Sequence, residues 1–192
     1  PVSKEFPTGQ DVFVFRKKTI PDAALTQRLV EETAKQICTA LVSLNEPESA
    51  YCLMLVLFEA FGRDDWFPPV LTLGLDSDRK RHANDPVRYW DSQHFKYSYI
   101  ALTGPVLADY TQQFIQECEL KHMYALPRIA LKRIAKELRQ MEVEKLIPVT
   151  EDFVIVPFDC DTPSIEASLQ GVYSPSEIKR LAAKGLLLDE PA

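Results

Sequence analysis

One continuous apolar segment constrains the fold of this chain more than any other part of its sequence. Residues 51–58 read YCLMLVLF and contain no charged side chain. The segment is too short to cross a bilayer, and it is too apolar for a strand that has a solvated face. It is therefore predicted to be the central strand of a buried sheet.

The length and composition indicate one globular domain. The chain has 192 residues, of which 46% are hydrophobic, so it can bury a substantial core without disulfides or metals. Residues 1–20 include the alternating segment VFVF at 12–15 and are expected to form an N-terminal arm or an edge strand. Residues 21–192 are expected to form the single α+β globular domain.

Four helices are predicted from apolar periodicity and from their starting residues. They begin near Asp22, Gly104, Pro127 and Ser174. The first should end near 45–47, the third near Lys145, and the last at Gly185. The sequence SPSE at 174–177 is a capping box with Pro at the first helical position, which is typical of a helix start.

Three further strands complete the predicted fold class. They are expected at 70–75, at 95–101 and at 150–157, and the first of them should form a hairpin with the 51–58 strand. Strands and helices do not alternate regularly along the chain. The prediction is therefore an α+β fold, with a mixed or mainly antiparallel sheet of about four strands covered by amphipathic helices.

Charge and cysteine usage narrow the classes of function. With 22 basic and 28 acidic residues, the formal net charge of −6 opposes a phosphate backbone, so no nucleic-acid partner is expected, whereas a basic protein partner would suit it. No apolar span reaches membrane length and the first ten residues lack a secretion signal, so no membrane partner is expected. The chain begins without Met, which leaves a removed leader open.

Four singly spaced cysteines indicate free thiols and a cytoplasmic location: Cys38, Cys52, Cys118 and Cys160.

No motif for catalysis, for a metal or for a cofactor is found in the sequence. It has no close pair of helical histidine ligands, no nucleophile elbow and no Gly-rich phosphate loop, so none of these is expected. Asp76 and Asp78 begin like a calcium loop, but Lys80 and Ala83 stand where ligands and a turn should follow, so a solvated loop is predicted. Asp159 is expected in a turn. The alternative is an enzyme of unrecognised type that uses Asp76, Asp78 or Asp159 with a histidine, around a divalent metal.

The leading hypothesis is a binding domain whose partner is another protein. Both tryptophans lie near the ends of the predicted hairpin, together with arginines and a tyrosine, and these residue types dominate binding energy at protein interfaces. The candidate partner-binding residues are Trp66, Arg79, Arg81, Arg88, Tyr89 and Trp90. Two alternatives stay open: the tryptophans close one end of the core, or the cluster is a self-association interface.

Four cations are spaced at helical intervals on the predicted third helix. They are Arg128, Lys132, Lys136 and Arg139. This spacing places their charges on one side of the helix. A solvated helix face is predicted, and the alternative is a surface that receives an acidic ligand or partner.

Three segments resemble an uncharacterised, mainly bacterial family that is known only as a domain of unknown function. They are the apolar run at 50–58, the Asp65-Trp66 pair, and the sequence TEDFVIVPFD at 150–159, which is followed by the capped last helix. The family has no established catalytic residues, so the resemblance implies the fold and leaves the mechanism open. By size and build the chain is also similar to the immunity proteins of bacterial toxin loci, an analogy that implies a protein partner.

Overall fold

A four-stranded mixed sheet lies at the centre of the fold. The computed structural model of the chain describes residues 23–57, 67–82, 89–123, 125–159 and 164–187. Within these ranges, helices cover both faces of the sheet, which confirms the predicted α+β class. The predicted arm at 1–20 lies outside the described residues.

The order of the strands places the 50–57 segment inside the sheet. The strands are β1 (Ala50–Leu57), β2 (Val70–Leu75), β3 (Tyr97–Ile100) and β4 (Val149–Asp159), in the spatial order β3-β2-β1-β4. β1 pairs antiparallel with β2 and parallel with β4, while β2 pairs antiparallel with β3. All eight residues of β1 are buried, so the predicted buried central strand and its hairpin with β2 are confirmed.

Six α-helices are found in the described residues. They are α1 (Ala23–Leu44), α2 (Asp76–Arg81), α3 (Pro105–Leu120), α4 (Leu126–Gln140), α5 (Ile165–Leu169) and α6 (Pro175–Ala183). The short helices α2 and α5 were not predicted. α4 ends earlier than the predicted Lys145, because Glu142 adopts a left-handed backbone conformation with φ of 53° and a separate 3-10 turn follows at Val143–Lys145. None of the described helices combines the length and apolar character that crossing a bilayer requires.

The cap of α6 has the predicted form. The side chain of Ser174 accepts a hydrogen bond from the backbone N–H of Glu177, and the Glu177 carboxylate accepts one from the backbone N–H of Ser174. Two of the otherwise unsatisfied donors at the helix start are thereby paired. Gly185 follows the helix with a positive φ of 73°, a conformation that glycine adopts without strain.

The core has two halves, one on each face of the sheet. Along β1, Leu53 and Leu55 point toward α1, α3 and α4, whereas Met54 and Val56 point toward α5, α6 and the segment that follows α6. This alternation follows from the two-residue period of a strand. Since both faces are covered by helices, the strand must be apolar throughout, which explains the unbroken run in the sequence.

The second half of the core packs closely against Gly74 of β2. A Cβ atom at this position would lie 2.7 Å from Sγ of Cys52, 2.8 Å from Cε1 of Tyr51 and 2.9 Å from Cε2 of Phe95. These distances are shorter than carbon and sulfur atoms tolerate. The missing side chain of Gly74 therefore leaves room for the Tyr51 ring, the Cys52 thiol and the Phe95 ring beside β2.

Candidate functional site

An ion-pair network surrounds Arg79 at the end of the sheet where β1 begins. Its Nη1 donates to Oδ2 of Asp152 at 2.7 Å, and its Nη2 donates to Oδ1 of Asp76 at 2.9 Å. The guanidinium carbon also lies 5.2 Å from the centre of the Tyr51 ring, within cation–π distance. We call Tyr51, Asp76, Arg79 and Asp152 the Arg79 network. It joins the start of α2 to β4 and to β1.

The charges of the Arg79 network stabilise one another. A hydrogen bond from Lys80 lowers the pKa of Asp76, burial opposes this effect, and Arg79 adds to it. Burial raises the pKa of Asp152, but hydrogen bonds from Thr150 and Arg79 outweigh it, and the net pKa is lowered. Both carboxyl groups are therefore ionised at neutral pH, as ion pairing requires. Neither has the raised pKa of a general acid.

Trp90 is held in one orientation by the residues beneath it. Its indole Nε1 donates to the carbonyl oxygen of Leu186 at 2.9 Å. Its ring meets the Tyr51 ring edge to face, with centroids 6.0 Å apart and an interplanar angle of 62°. The Tyr51 hydroxyl in turn donates to the carbonyl oxygen of Tyr89. Trp90 is half-buried and packs against the second half of the core, so it is partly a core residue and partly a surface residue.

The end of α2 lies close to the segment that follows Trp90. The rings of His82 and His94 are 6.0 Å apart between centroids, which joins the residue after Arg81 to the short 3-10 turn at Ser92–His94. The Arg81 side chain is 61% exposed, and its Nη1 lies 3.6 Å from Oδ1 of Asp78. We call Arg81, Tyr89 and Trp90 the Trp90 surface.

The six sequence-predicted binding residues therefore have different environments. Arg79 is engaged in the network, and its side chain is only 22% exposed. Arg81, Tyr89 and Trp90 form the Trp90 surface, and Tyr51 links this surface to Arg79. Trp66 and Arg88 lie outside the described residues. Sequence reasoning missed Tyr51, because its position in the apolar run indicated a core residue and nothing more.

The predicted solvated loop at Asp76 and Asp78 is wrong. Both residues lie in the first turn of α2, and Asp78 is 1% exposed. Its Oδ2 accepts the backbone N–H of Leu75 at 3.0 Å, which satisfies a donor at the start of the helix. The negative charge also lies at the positive end of the helix dipole, where it is stabilised.

The third carboxylate of the alternative enzyme hypothesis lies at the other end of the sheet. Asp159 is the last residue of β4, where it pairs in register with Leu57, whereas Asp76 follows the end of β2 that pairs with Ala50. The expected turn position is also wrong, since Asp159 is buried within the strand and forms an ion pair with Arg128. Asp159 therefore cannot share a site with Asp76 and Asp78.

The histidines and cysteines offer no arrangement for metal binding in the part of the chain that is described. There, no three His, Cys, Asp or Glu side chains come close enough to hold a metal ion together. Burial raises the pKa values of Cys52 and Cys118 to about 12, so both thiols are protonated at neutral pH and are poor nucleophiles. Cys160 lies outside the described residues.

Glu46 lies at the end of the sheet that carries the Arg79 network, on the side of β3. Its Oε2 accepts hydrogen bonds from Nζ of Lys96 and from the hydroxyl of Tyr97, each at 2.7 Å. These bonds lower its pKa to about 2. Glu46 is therefore ionised throughout the physiological range and fixes the loop before β1 to the start of β3.

The prediction of a solvated face for the four cations of α4 is wrong for three of them. Arg128 pairs with Asp159, and Nζ of Lys132 donates to the carbonyl oxygen of Gln170 at 2.8 Å. Arg139 donates to the carbonyl oxygen of Val172 and to Glu177, both at 2.7 Å, and lies 4.0 Å from the centre of the Tyr173 ring. These contacts join the helical layer that contains α4 to the α5–α6 layer across the outer edge of β4.

Other features also protect the outer edge of β4 from pairing with a further strand. The Tyr173 hydroxyl accepts the backbone N–H of Ile155 at 2.8 Å, so this N–H points away from β1. Two residues later on the same side, Pro157 has no N–H to leave unpaired. Between Val149 and Val154 the register with β1 is irregular, which further interrupts the edge.

Comparison of the chain with protein-family models, with curated proteins and with solved structures finds no match. The resemblance of the 50–58, 65–66 and 150–159 segments to an uncharacterised bacterial family therefore stays a prediction.

Proposed function

We propose that this chain is a non-enzymatic binding domain that contacts another protein through the Trp90 surface. The observation that carries the proposal is the fixed orientation of Trp90. Its indole N–H is bonded to Leu186 and its ring rests on Tyr51, yet part of the side chain is accessible to solvent. An aromatic side chain that is already ordered loses little conformational entropy on binding, so more of its contact energy appears as affinity.

The composition of the Trp90 surface also supports this proposal. Binding hot spots combine a central aromatic residue with arginine, and they lie on rigid supports. Arg81 supplies an exposed guanidinium two residues after Arg79, and the Arg79 guanidinium lies against the Tyr51 ring that Trp90 contacts. The described carboxylates of this region are bonded to cations or to backbone N–H groups, which is typical of a structural network rather than of general acid–base chemistry.

The cytoplasm is the compartment in which we propose that the protein acts. Cys38, Cys52 and Cys118 are unpaired thiols, and Cys52 and Cys118 are buried as small apolar residues would be. Free thiols in core positions are typical of a reducing environment.

Charge reversal at Arg81 tests the proposal. The purified protein, its Arg81→Glu variant and an Arg28→Glu variant are immobilised and exposed to a lysate of the source organism, and captured proteins are quantified by mass spectrometry. Arg28 is a matched control, since it is an exposed cation on α1, which packs on the opposite face of the sheet. We expect at least one protein that binds the wild type and the Arg28→Glu variant but is depleted about tenfold or more by Arg81→Glu.

Retention of every captured protein by folded Arg81→Glu would refute the proposal. Circular dichroism of each variant confirms that it is folded before capture. Sedimentation velocity of the wild type separates a foreign partner from self-association: a dimer that Arg81→Glu dissociates would assign the surface to a second copy of the chain and would overturn the proposal.

A further inference from the structure

A cavity lies beside α3, at the end of the sheet where β1 ends. Its volume is about 790 Å³, within the range of small-molecule sites. It is lined by Pro68, which precedes β2, by residues 102–105, which link β3 to α3, and by one side of α3. Val70 at the start of β2 pairs with Val56 near the end of β1. The cavity and the Arg79 network therefore lie at opposite ends of the sheet.

The buried part of the cavity lining is apolar. Leu107 and Ile115 line it, and both are buried members of the core. Leu102 is partly buried and packs against the same core. Ala108 also lines the cavity, is exposed, and offers only a methyl group. A ligand with an apolar body would therefore contact apolar side chains that the core already holds in place.

Thr111 supplies an unpaired polar group in this apolar lining. The residue is 7% exposed, and its Oγ1 is buried without a hydrogen-bond partner among the described residues. In α1, by contrast, the hydroxyls of Thr33 and Thr39 each donate to the carbonyl oxygen four residues earlier. A buried hydroxyl without a partner costs free energy. An acceptor that enters the cavity and bonds to Thr111 would remove this cost.

The described lining residues do not favour a charged ligand. They include no Lys, Arg or His that could pair with an anion. Glu119 is their one ionisable group, and because it is exposed, water screens its attraction for a cation. The remaining polar side chains are uncharged: Thr103, Thr111, Gln112 and Gln116. Since an unpaired charge is costly to bury against apolar side chains, the lining favours an uncharged ligand.

We infer that this cavity binds a small uncharged organic molecule that joins an apolar body to a hydrogen-bond acceptor, a hydroxyl or carbonyl oxygen. The Thr111 hydroxyl donates to that oxygen, and Leu102, Leu107 and Ile115 contact the body. The site is separate from the Trp90 surface, and its function does not depend on the proposed protein partner.

Titration followed by NMR tests this inference with four probes that share one aromatic ring. Benzyl alcohol, toluene, benzoate and benzylamine are added separately to the ¹⁵N-labelled full chain at millimolar concentration and pH 7. We expect saturable shifts of the amides of Leu107, Ala108, Thr111 and Ile115 with benzyl alcohol. Benzoate and protonated benzylamine should bind more weakly than benzyl alcohol, because each would bring an unpaired charge into the cavity.

The variant Thr111→Val tests the hydrogen bond. Valine has the shape of threonine without the hydroxyl, so the variant should fold and should be no less stable than the wild type. We expect it to bind benzyl alcohol about fivefold more weakly and toluene as the wild type does, since toluene has no acceptor. The matched control is Thr39→Val, on the exposed side of α1, which should leave both affinities unchanged.

Filling the cavity tests its location. Ala108→Leu places a larger side chain in the lining and should abolish the saturable shifts. Gln113→Leu adds the same side chain at an exposed position of α3 that does not line the cavity, and should leave the affinity unchanged. Circular dichroism confirms the fold of each variant, and the wild-type titration decides the question if one does not fold.

Several results would overturn the inference. They are the absence of saturable shifts with benzyl alcohol, shifts confined to another surface, and stronger binding of benzoate or benzylamine. Unchanged benzyl alcohol affinity in folded Ala108→Leu would place the ligand elsewhere. Equal changes for benzyl alcohol and toluene in folded Thr111→Val would show that the residue has only a structural role.

Discussion

Removal of the Arg79 side chain is the sharpest test of the network that supports the Trp90 surface, because the chain contains its own control. Arg79 and Lys80 both pair with Asp76, at 2.9 Å and 2.7 Å. Their side chains differ in exposure, 22% for Arg79 and 76% for Lys80. The variants Arg79→Met and Lys80→Met therefore remove a charge from the same carboxylate, in a partly buried and in an exposed setting.

Arg79→Met should lower the free energy of unfolding more than Lys80→Met, because the ion pairs of Arg79 are less exposed to water. Breaking a buried ion pair costs about 3–5 kcal/mol, because the remaining charge is left without a partner. Asp152 and Asp76 retain 15% and 22% exposure, so some water reaches them and we expect a loss of about 2–3 kcal/mol for Arg79→Met. Water screens an exposed ion pair, so Lys80→Met should change stability much less than Arg79→Met.

Urea unfolding at pH 7, followed by circular dichroism, measures both variants. A double-mutant cycle of Arg79→Met with Asp152→Asn should show a coupling of about 1–2 kcal/mol, since the two groups are bonded to each other. If Arg79→Met and Lys80→Met destabilise the protein equally, the Arg79 network does not support this end of the sheet.

Three further predictions concern other parts of the fold. Gly74→Ala should lower stability by about 1–3 kcal/mol in the same urea assay, since its Cβ would lie within 2.9 Å of three side chains. Gly104→Ala should change stability by about 1 kcal/mol or less, since its Cβ would meet only a flexible glutamine at 3.3 Å. Arg139→Ala should cost about 1–2 kcal/mol in thermal unfolding, because it removes two hydrogen bonds and a cation–π contact. Lys136→Ala on the same helix should be within about 0.5 kcal/mol of the wild type, and equal effects of the two variants would refute the proposed connection across the sheet edge. The pKa of Glu46 is about 2 in the folded state and higher in the unfolded state, so its stabilising effect should be present above the unfolded pKa and be lost as the pH falls toward 2. Over this pH interval the free energy of unfolding should fall less steeply for Glu46→Gln than for the wild type, and identical slopes would contradict the assignment.

Local rules predicted most of the secondary structure. The 51–58 run gave β1 because a strand covered on both faces must be apolar throughout. The cap of α6 was predicted because its donors and acceptors are only three residues apart in the sequence. The long helices α1, α3 and α4 were predicted from their apolar periodicity, although α4 ends earlier than expected.

Contacts between distant residues were not predictable in the same way. The six residues of α2 are DSDRKR, which have no apolar face, and the helix is held by contacts such as that between Arg79 and Asp152. The cations of α4 were correctly placed on one side of the helix, but the α5–α6 region that covers this side is separated from it in the sequence. Pairing of β4 with β1 rather than with another strand likewise depends on the whole fold.

The candidate site was predicted in part. Trp, Tyr and Arg were singled out for their chemistry, and the structure brings both Arg79 and Trp90 into contact with Tyr51. The sequence alone could not separate the role of Arg79 in the fold from the exposed position of Arg81, because both belong to the same short polar segment. Burial and ion pairing make this distinction.

Position-specific photo-cross-linking tests the central claim most directly. A photoreactive amino acid is placed at Gln93, an exposed position on the 3-10 turn that follows Trp90, and in a second variant at Lys179, an exposed position on α6. We expect irradiation in a lysate to join a defined foreign protein to position 93 and not to position 179, and Arg81→Glu should abolish the product. A cross-link at position 179 alone, or a product at 93 that persists in folded Arg81→Glu, would contradict binding through the Trp90 surface.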